Sequence, residues 1–420
     1  MKIHFIGIGG IGVSALAQYY LAKGHEISGS DLVASEITEY LEKKGVKIII
    51  GNSAENISQD LDLVVYSPAV KKDNPELIEA LKIKNYKNLK IKIKSYPEAL
   101  GDLTKEYYTI AIAGAHGKST TTAMIGLVLT KAGFDPTVIV GTKLKEFGDS
   151  NFRFGKSKFL VIEACEYDSS FLHYLPKIIV VTNIDKEHLD YFKTFANVKK
   201  AFKNFIAKLP PSGFLVFNKR PSMRQKRAAK IKKILKVPGM HNVFNALDAL
   251  EVARILKIKD EITFQALSEF TGTWRRFEEK ELKIENCKLK IISDYAHHPN
   301  EIIATLKAAR EKYPKKKIWC IFQPHQYQRT HYLFNDFVKV FRNAKIDKTI
   351  ITDIYDVAGR ETKKISADVS SKKLVKKIAK KNVIYLPMAS LEKFIKENIK
   401  SGEVLIIMGA GDIYKLAEKF

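Results

Sequence analysis

The sequence predicts an α/β protein built as three parallel-sheet domains, and three observations carry that prediction. Short apolar runs alternate with helical stretches along the whole chain. Two of those runs break into glycine-rich turns that open helices, at residues 7–12 and 114–120. The 420 residues exceed one ordinary domain, and 45% hydrophobic content supplies ample core.

The first segment opens with KIHFIGIGGIGVSALAQYYLAKGHEISGSD. A β run over Ile3 to Ile6 meets Gly7, Gly9, Gly10 and Gly12, and a helical pattern follows through Leu16 and Leu21. Glycines there allow close backbone approach to a phosphate at a helix N-terminus. The next strand ends at Ser30-Asp31, which places an acid at the spacing of a ribose contact. DLVVYSPAV reads as a buried strand ending at Ser67, and SYPEALGDLTKEY as a linker. A first domain over residues 1–104 follows. Alone, its fingerprint would suggest a nicotinamide dinucleotide.

The second segment begins with TIAIAGAHGKSTTTAM. The common phosphate loop has four residues between its glycines; here Gly114 and Gly117 are separated by two. Lys118 and Ser119 follow directly, suited to β/γ-phosphate charge and to Mg²⁺. A dehydrogenase needs only one phosphate loop. Two loops suggest an anionic, nucleotide-like substrate together with a nucleoside triphosphate. Glu163 and His188 lie at the ends of later apolar strands, and HNVFNALDALEVARILKI forms an amphipathic helix. This domain is set at residues 105–272.

The third segment, residues 273–420, again alternates strands and helices. Arg275 and Arg276 stand at its start, Asp294 ends the strand IISD, and His297-His298-Pro299 follow. Adjacent histidines rarely chelate one ion comfortably. Arg329, in FQPHQYQRT, supplies a guanidinium suited to phosphate or carboxylate. Parallel architecture is expected throughout, with sites at the strand C-terminal ends.

The net charge of +25 invites a nucleic-acid reading. The lysines are diffuse and lack interleaved aromatic platforms, so neither nucleic acid nor membrane is expected as a partner. A positive field would still draw anionic small substrates. Three scattered cysteines, Cys165, Cys287 and Cys320, argue against a disulfide framework. The start of the chain lacks the longer apolar core of a signal peptide, and a cytoplasmic location is expected.

Taken in order, HFIGIGGIG, VSGSD, AGAHGKSTTT, SSFL, VVTNI with EHLDYF, HNVFNAL, RRFE, DYAHHP, FQPH with RT, and MGAGDI closely resemble the Mur ligases of peptidoglycan synthesis. The likeness covers nearly the whole chain and is nearest the branch that adds alanine. It implies an N-terminal Rossmann-like domain for the UDP-substrate, a central ATP-binding domain and a C-terminal Rossmann-like domain. ATP would lie between the second and third, with hinge closure at the linkers. The implied reaction joins L-alanine to UDP-N-acetylmuramate at the expense of ATP and with Mg²⁺, in a monomer or weak dimer.

Carried over by motif, Gly7, Gly9, Gly10, Ile11 and Gly12 would wrap the UDP diphosphate, with Ser30, Asp31 and Ser67 nearby. Gly114, His116, Gly117, Lys118, Ser119 and Thr120 would hold the ATP phosphates. Ser119, Glu163 and His188 would be the metal ligands. Asn242 and Asn245 match adenine contacts, Asp294 a ribose contact and Arg276 a γ-phosphate contact. His298 and Arg329 would hold the amino acid and the acyl phosphate, and Lys118, His188, Arg276, His298 and Arg329 form the catalytic set.

The chain also departs from the family. EACEYD replaces the usual acid-rich run, so Cys165 stands where an acid is expected, on the strand face of Glu163. Gln326 replaces an arginine. Phe202 stands where other branches use a carbamylated lysine. The middle domain is short, and the basic stretch 219–236 is expected as an amphipathic helix closing it, with Ile231, Ile234 and Leu235 inward. Two alternatives follow: a recycling ligase for a murein tripeptide, and a UDP-muramate-binding protein without ligase activity.

Overall fold

The computed structural model describes residues 1–86, 91–217, 221–284, 287–356 and 368–419. Lys219 and Arg220 lie outside the described residues, as do the side chains of 221–225 and of 283–287, Cys287 included. The chain forms three separate sheets distributed over two compact units. One unit comprises Met1–Asp185, Lys199–Arg220 and Asp248–Ala266; the other comprises Lys186–Val198, Pro221–Leu247 and Leu267–Phe420.

In the first unit, β1 (Lys2–Ile6), β2 (Glu26–Asp31), β3 (Lys47–Ile50), β4 (Leu63–Tyr66) and β5 (Lys92–Ser95) form a parallel sheet of order β3-β2-β1-β4-β5. Helices α1 (Ile11–Ala22), α2 (Glu36–Lys43), α3 (Pro75–Tyr86) and α4 (Tyr96–Glu106) connect it. β1 sits between β2 and β4, so the turn after it occupies the point where strand order reverses, where open α/β sheets bind ligands.

The second sheet contains β6 (Tyr108–Ala113), β7 (Thr137–Leu144), β8 (Ser150–Arg153), β9 (Phe159–Glu163), β10 (Ile178–Val181) and β11 (Phe214–Val216), in the order β11-β10-β6-β9-β7-β8. Again the strand that precedes the glycine turn, β6, is flanked on both sides. α5 (Lys118–Lys131) follows that turn; α6 (Leu189–Phe192) and α7 (Phe195–Ile206) come later. Phe202 is buried against Phe171, with ring centroids 5.4 Å apart, so it serves the core.

After α8 (Pro221–Ile234), α9 (Met240–Ile255) and α10 (Asp260–Glu269), the third sheet contains β12 (Glu278–Ile284), β13 (Cys287–Asp294), β14 (Ile318–Phe322), β15 (Lys348–Ile351), β16 (Val383–Tyr385) and β17 (Val404–Met408). Its order is β12-β13-β17-β14-β15-β16. Helices α11 (Pro299–Lys312), α12 (Tyr327–Tyr332) and α13 (Phe334–Asn343) are among its connections. Ile292, Ile302, Phe322, Phe337, Phe341 and Ile406 are fully buried in its main core cluster. Among the described residues no helix is long and apolar enough to cross a membrane.

One expectation needs correction. The sheets are not parallel throughout: β7–β8 and β12–β13 are antiparallel hairpins, because their connections are too short for a helical crossover. The basic stretch does form a helix, with Ile231 buried and Lys232 and Lys233 exposed. Ile234 and Leu235, also expected inward, are half-buried. Residues Pro221–Leu247 belong to the unit of the C-terminal sheet. The following turn at Gly239 packs so closely there that a Cβ would lie 3.2 Å from Ala308 of α11.

Candidate active site

Helix entry at the two glycine turns differs from that of α2 and α11. α2 begins with a capping box, Ser35 with Thr38, and α11 with another, His298 with Glu301. α1 and α5 begin at Gly10 and Gly117, with no side-chain cap and no acid in the first turn. Their leading N–H groups and positive dipole ends are therefore left to an anion.

The first turn is braced from β2. Gly7 and Ile8 donate their N–H groups to the Ser30 carbonyl at 2.8 and 3.0 Å, and Gly9 donates to Asp31 Oδ2 at 2.8 Å. The buried Ser30 hydroxyl donates to Glu76 at 2.6 Å, and the Ser30 carbonyl faces the loop. Asp31 spends one carboxylate oxygen on holding Gly9. Ser67 packs under Gly7, where a Cβ would meet its own at 3.0 Å.

The second turn is tighter. A Cβ on Gly114 would lie 2.0 Å from Thr182 Oγ1, and its φ of 141° suits only glycine. Asn183 clamps the turn: its Oδ1 accepts from the His116 N–H at 3.0 Å and its Nδ2 donates to the His116 carbonyl at 2.8 Å. The His116 ring meets Asp185 at 3.1 Å. Ser119 and Thr120 are buried in the first turn of α5.

Lys118 folds back over its own loop. Nζ donates to the Gly114 carbonyl at 2.5 Å and approaches Glu166 Oε2 at 3.1 Å. Burial disfavours the ammonium, but the Glu166 carboxylate outweighs it and the pKa lies above the usual lysine value. Cys165 is exposed, past the end of β9, and the buried Glu166 after it brings the acid to the loop. Glu163 Oε1 accepts from the Gly141 N–H at 2.5 Å. A Cβ on Gly141 would lie 3.0 Å from both Glu163 carboxylate oxygens, so that glycine keeps room for the carboxylate.

The other unit gathers the remaining residues. Asp294 accepts from the N–H groups of Phe277 at 2.8 Å and Ala296 at 2.7 Å. Burial pushes its pKa up to about 6 against the pull of Arg276 and those N–H groups. Arg276 lies 4.9 Å from the Tyr295 ring and 3.8 Å from Glu301. His298 accepts from the Asn300 N–H at 3.3 Å as the cap of α11, which commits its Nδ1 and removes that atom from amino-acid capture. His297 Nδ1 faces the Tyr295 carbonyl at 3.0 Å, so the two rings serve separate partners. Burial pulls the His297 pKa down to about 4. Asn242 Nδ2 donates to the Pro238 carbonyl at 2.7 Å, and Asn245 lies beside it at 3.5 Å, both buried.

Arg275, suggested for an anion, is structural. It donates to the carbonyls of Gly409 at 2.6 Å and Gly411 at 3.1 Å, and its guanidinium lies 4.3 Å from the Tyr414 ring centroid. Arg329 approaches Glu187 at 3.3 Å and His325 Nδ1 at 3.0 Å. Burial would raise the Glu187 pKa, but Arg329, followed by His188, His297 and His298, holds it well below the carboxylate range. A small pocket is lined by Lys186, Glu187, His188, Gln326, Arg329 and Tyr332. His188 opens α6 with a φ of 54°, and Gln326 opens α12 with a φ of 70°. Glu166, Asn183 and Glu187 were not singled out as site residues from the sequence. The VVTNI and EHLD motifs that contain or adjoin the last two were the available signal.

Two uncapped glycine turns, one carrying the half-buried Lys118, stand in a chain that comparison with known proteins places among the ATP-dependent ligases. Residues 2–108 match the Mur ligase family catalytic domain, 112–237 the Mur ligase middle domain, and 275–411 the Mur ligase glutamate ligase domain. The chain belongs to the Mur ligase family. It is 42% identical to the UDP-N-acetylmuramate–L-alanine ligase of Acetivibrio thermocellus, covering 100% of this chain and 95% of that one. The ligase of the same name from Caldanaerobacter subterraneus subsp. tengcongensis is also 42% identical, over 100% and 97%. The solved UDP-N-acetylmuramate–alanine ligase of Thermotoga maritima superposes with a TM-score of 0.80 at 29% identity, covering 100% of this chain and 98% of that one.

Proposed function

We propose that this chain is the ATP-dependent ligase that joins L-alanine to the carboxylate of UDP-N-acetylmuramate in peptidoglycan precursor synthesis. The observation that carries the reading is end-to-end identity of 42% with ligases of that name, in a chain that retains both uncapped glycine turns. The division into domains at 1–104, 105–272 and 273–420, a cytoplasmic location and a monomeric or weakly dimeric state belong to the same proposal.

A carboxylate is a poor electrophile. Transfer of the ATP γ-phosphoryl to it gives an acyl phosphate, and the alanine amine then attacks the acyl carbon and expels phosphate. Catalysis of the first step is mainly positioning and charge neutralisation. In this reading the turn of Gly7, Gly9, Gly10, Ile11 and Gly12 wraps the UDP diphosphate, with Ser30, Asp31 and Ser67 nearby. The turn from Gly114 to Thr120 holds the ATP phosphates, and Lys118 neutralises their charge. Arg276 is assigned to the γ-phosphate, Asn242 and Asn245 to adenine, and Asp294 to the ribose. His298, through the rest of its ring, and Arg329 are assigned to the amino acid and acyl phosphate.

Mg²⁺ takes oxygen ligands. The Ser119 hydroxyl and the Glu163 carboxylate, whose space Gly141 preserves, fit that requirement, and His188 would add a nitrogen donor. Bound there, the ion would neutralise phosphate charge. The test is phosphate release with ATP and UDP-N-acetylmuramate on addition of free L-alanine. Turnover supports the reading, whereas turnover with a murein tripeptide alone, or none, replaces it with one of the two alternatives.

A further inference from the structure

We propose that Glu76 is a positioning residue for the nucleotide-sugar loop, acting through Ser30. The proposal rests on the reading of residues 7–12 as the UDP-diphosphate loop.

Glu76 lies in the first turn of α3 and is fully buried beneath the sheet that carries this loop. Its Oε2 accepts from the Ser30 hydroxyl at 2.6 Å and its Oε1 from Asn56 Nδ2 at 2.5 Å. His4 Nε2 stands 3.8 Å away, and His4 Nδ1 meets Ser28 Oγ at 2.9 Å. Strand register explains the grouping. His4 pairs with Ser28 and Ile6 with Ser30, and the two-residue period puts both serines on one face.

A buried carboxylate is costly unless its oxygens are satisfied, and an apolar group of similar size would generally serve the core as well. Here the charge sits at the start of a helix, where the dipole favours it. Asn74 Oδ1 accepts from the Glu76 and Leu77 N–H groups at 2.9 and 3.1 Å, fixing that turn. The Ser30 hydroxyl is thereby anchored from below, while its carbonyl holds Gly7 and Ile8 from above. The next residue, Asp31, holds Gly9. Three N–H groups of the loop thus depend on the end of β2, and Glu76 fixes that end. These internal bonds hold the shape of the loop, and a phosphate-binding loop needs such support because its affinity depends on that shape being set before the ligand arrives.

The experiment compares Glu76→Gln, Ser30→Ala and the double variant, using calorimetric titration with UDP-N-acetylmuramate and steady-state kinetics. Each single variant should weaken UDP-N-acetylmuramate binding about tenfold, with kcat and the KM for ATP within about twofold of wild type. The double variant should be no weaker than the worse single one, since both act through one contact. Unaltered UDP-N-acetylmuramate affinity in folded variants would overturn the proposal, as would equal losses in kcat and in both KM values. If Glu76→Gln does not fold, Ser30→Ala decides by the same readouts. Failure of the wild-type chain to bind UDP-N-acetylmuramate would overturn the loop reading and this proposal with it. Wild-type binding with unaltered variants would overturn this proposal alone.

Discussion

Lys118 Nζ lies 3.1 Å from the buried carboxylate of Glu166, while donating to the Gly114 carbonyl at 2.5 Å. The lysine is held over its loop by a counter-charge 48 residues away. Loss of a preorganised charge at a phosphoryl-transfer site costs on the order of 10²–10³ in rate. Lys118→Ala should therefore reduce turnover by about that factor or more, with UDP-N-acetylmuramate binding nearly unchanged in titration. Near-normal phosphate release would show that the turn is a structural one.

Gly141 gives a test of the metal assignment that leaves every assigned ligand in place. A methyl at this position would sit 3.0 Å from both oxygens of Glu163 and force its carboxylate to move. Gly141→Ala should raise the Mg²⁺ concentration needed for half-maximal activity several-fold, without altering affinity for UDP-N-acetylmuramate. An unchanged Mg²⁺ titration would remove Glu163 from the metal site.

The Glu187–Arg329 pair is buried, so removal of one partner leaves an uncompensated charge, a loss of about 3–5 kcal/mol. Chemical denaturation of Glu187→Ala should show a loss on that scale. Adding Arg329→Ala should cost less than the sum of the single changes, since the stranded guanidinium is then gone. Additive losses would mean that the two side chains act independently.

Asp294 and His297 set opposite trends with pH. The folded pKa of Asp294 is raised from 3.8 to about 6, so its contribution to stability is fully present below 3.8 and lost as pH rises through 6. The His297 value is lowered from 6.5 to about 4, so its contribution is present above 6.5 and lost as pH falls toward 4. Each is worth roughly 3 kcal/mol over its range, and in wild type the two nearly cancel. Relative to wild type, His297→Gln should gain stability on acidification from pH 7 to 4, and Asp294→Asn should lose it. Unfolding free energies across that range give the sign directly, and reversed signs would contradict the burial assigned to these groups.

The parts legible in the sequence were those set by local spacing. Glycine turns between an apolar run and a helix identify themselves within a dozen residues, as does the Lys118-Ser119 pair. Contacts across the fold were not legible. Asn183 reaches His116 across 67 positions, Arg329 reaches Glu187 across 142, and Glu76 reaches Ser30 across 46. A sheet brings such residues together through strand order, which local periodicity does not encode. Arg275 illustrates the opposite limit. Its residue type suits anions, but its guanidinium donates to backbone carbonyls.

The central claim is tested most directly by measuring phosphate release with the wild-type chain, ATP, Mg²⁺ and UDP-N-acetylmuramate, with and without free L-alanine. The account predicts phosphate released in step with a UDP-N-acetylmuramoyl-alanine product, and only when all three substrates are present. Absence of turnover with alanine, or turnover only with a murein tripeptide, would contradict it.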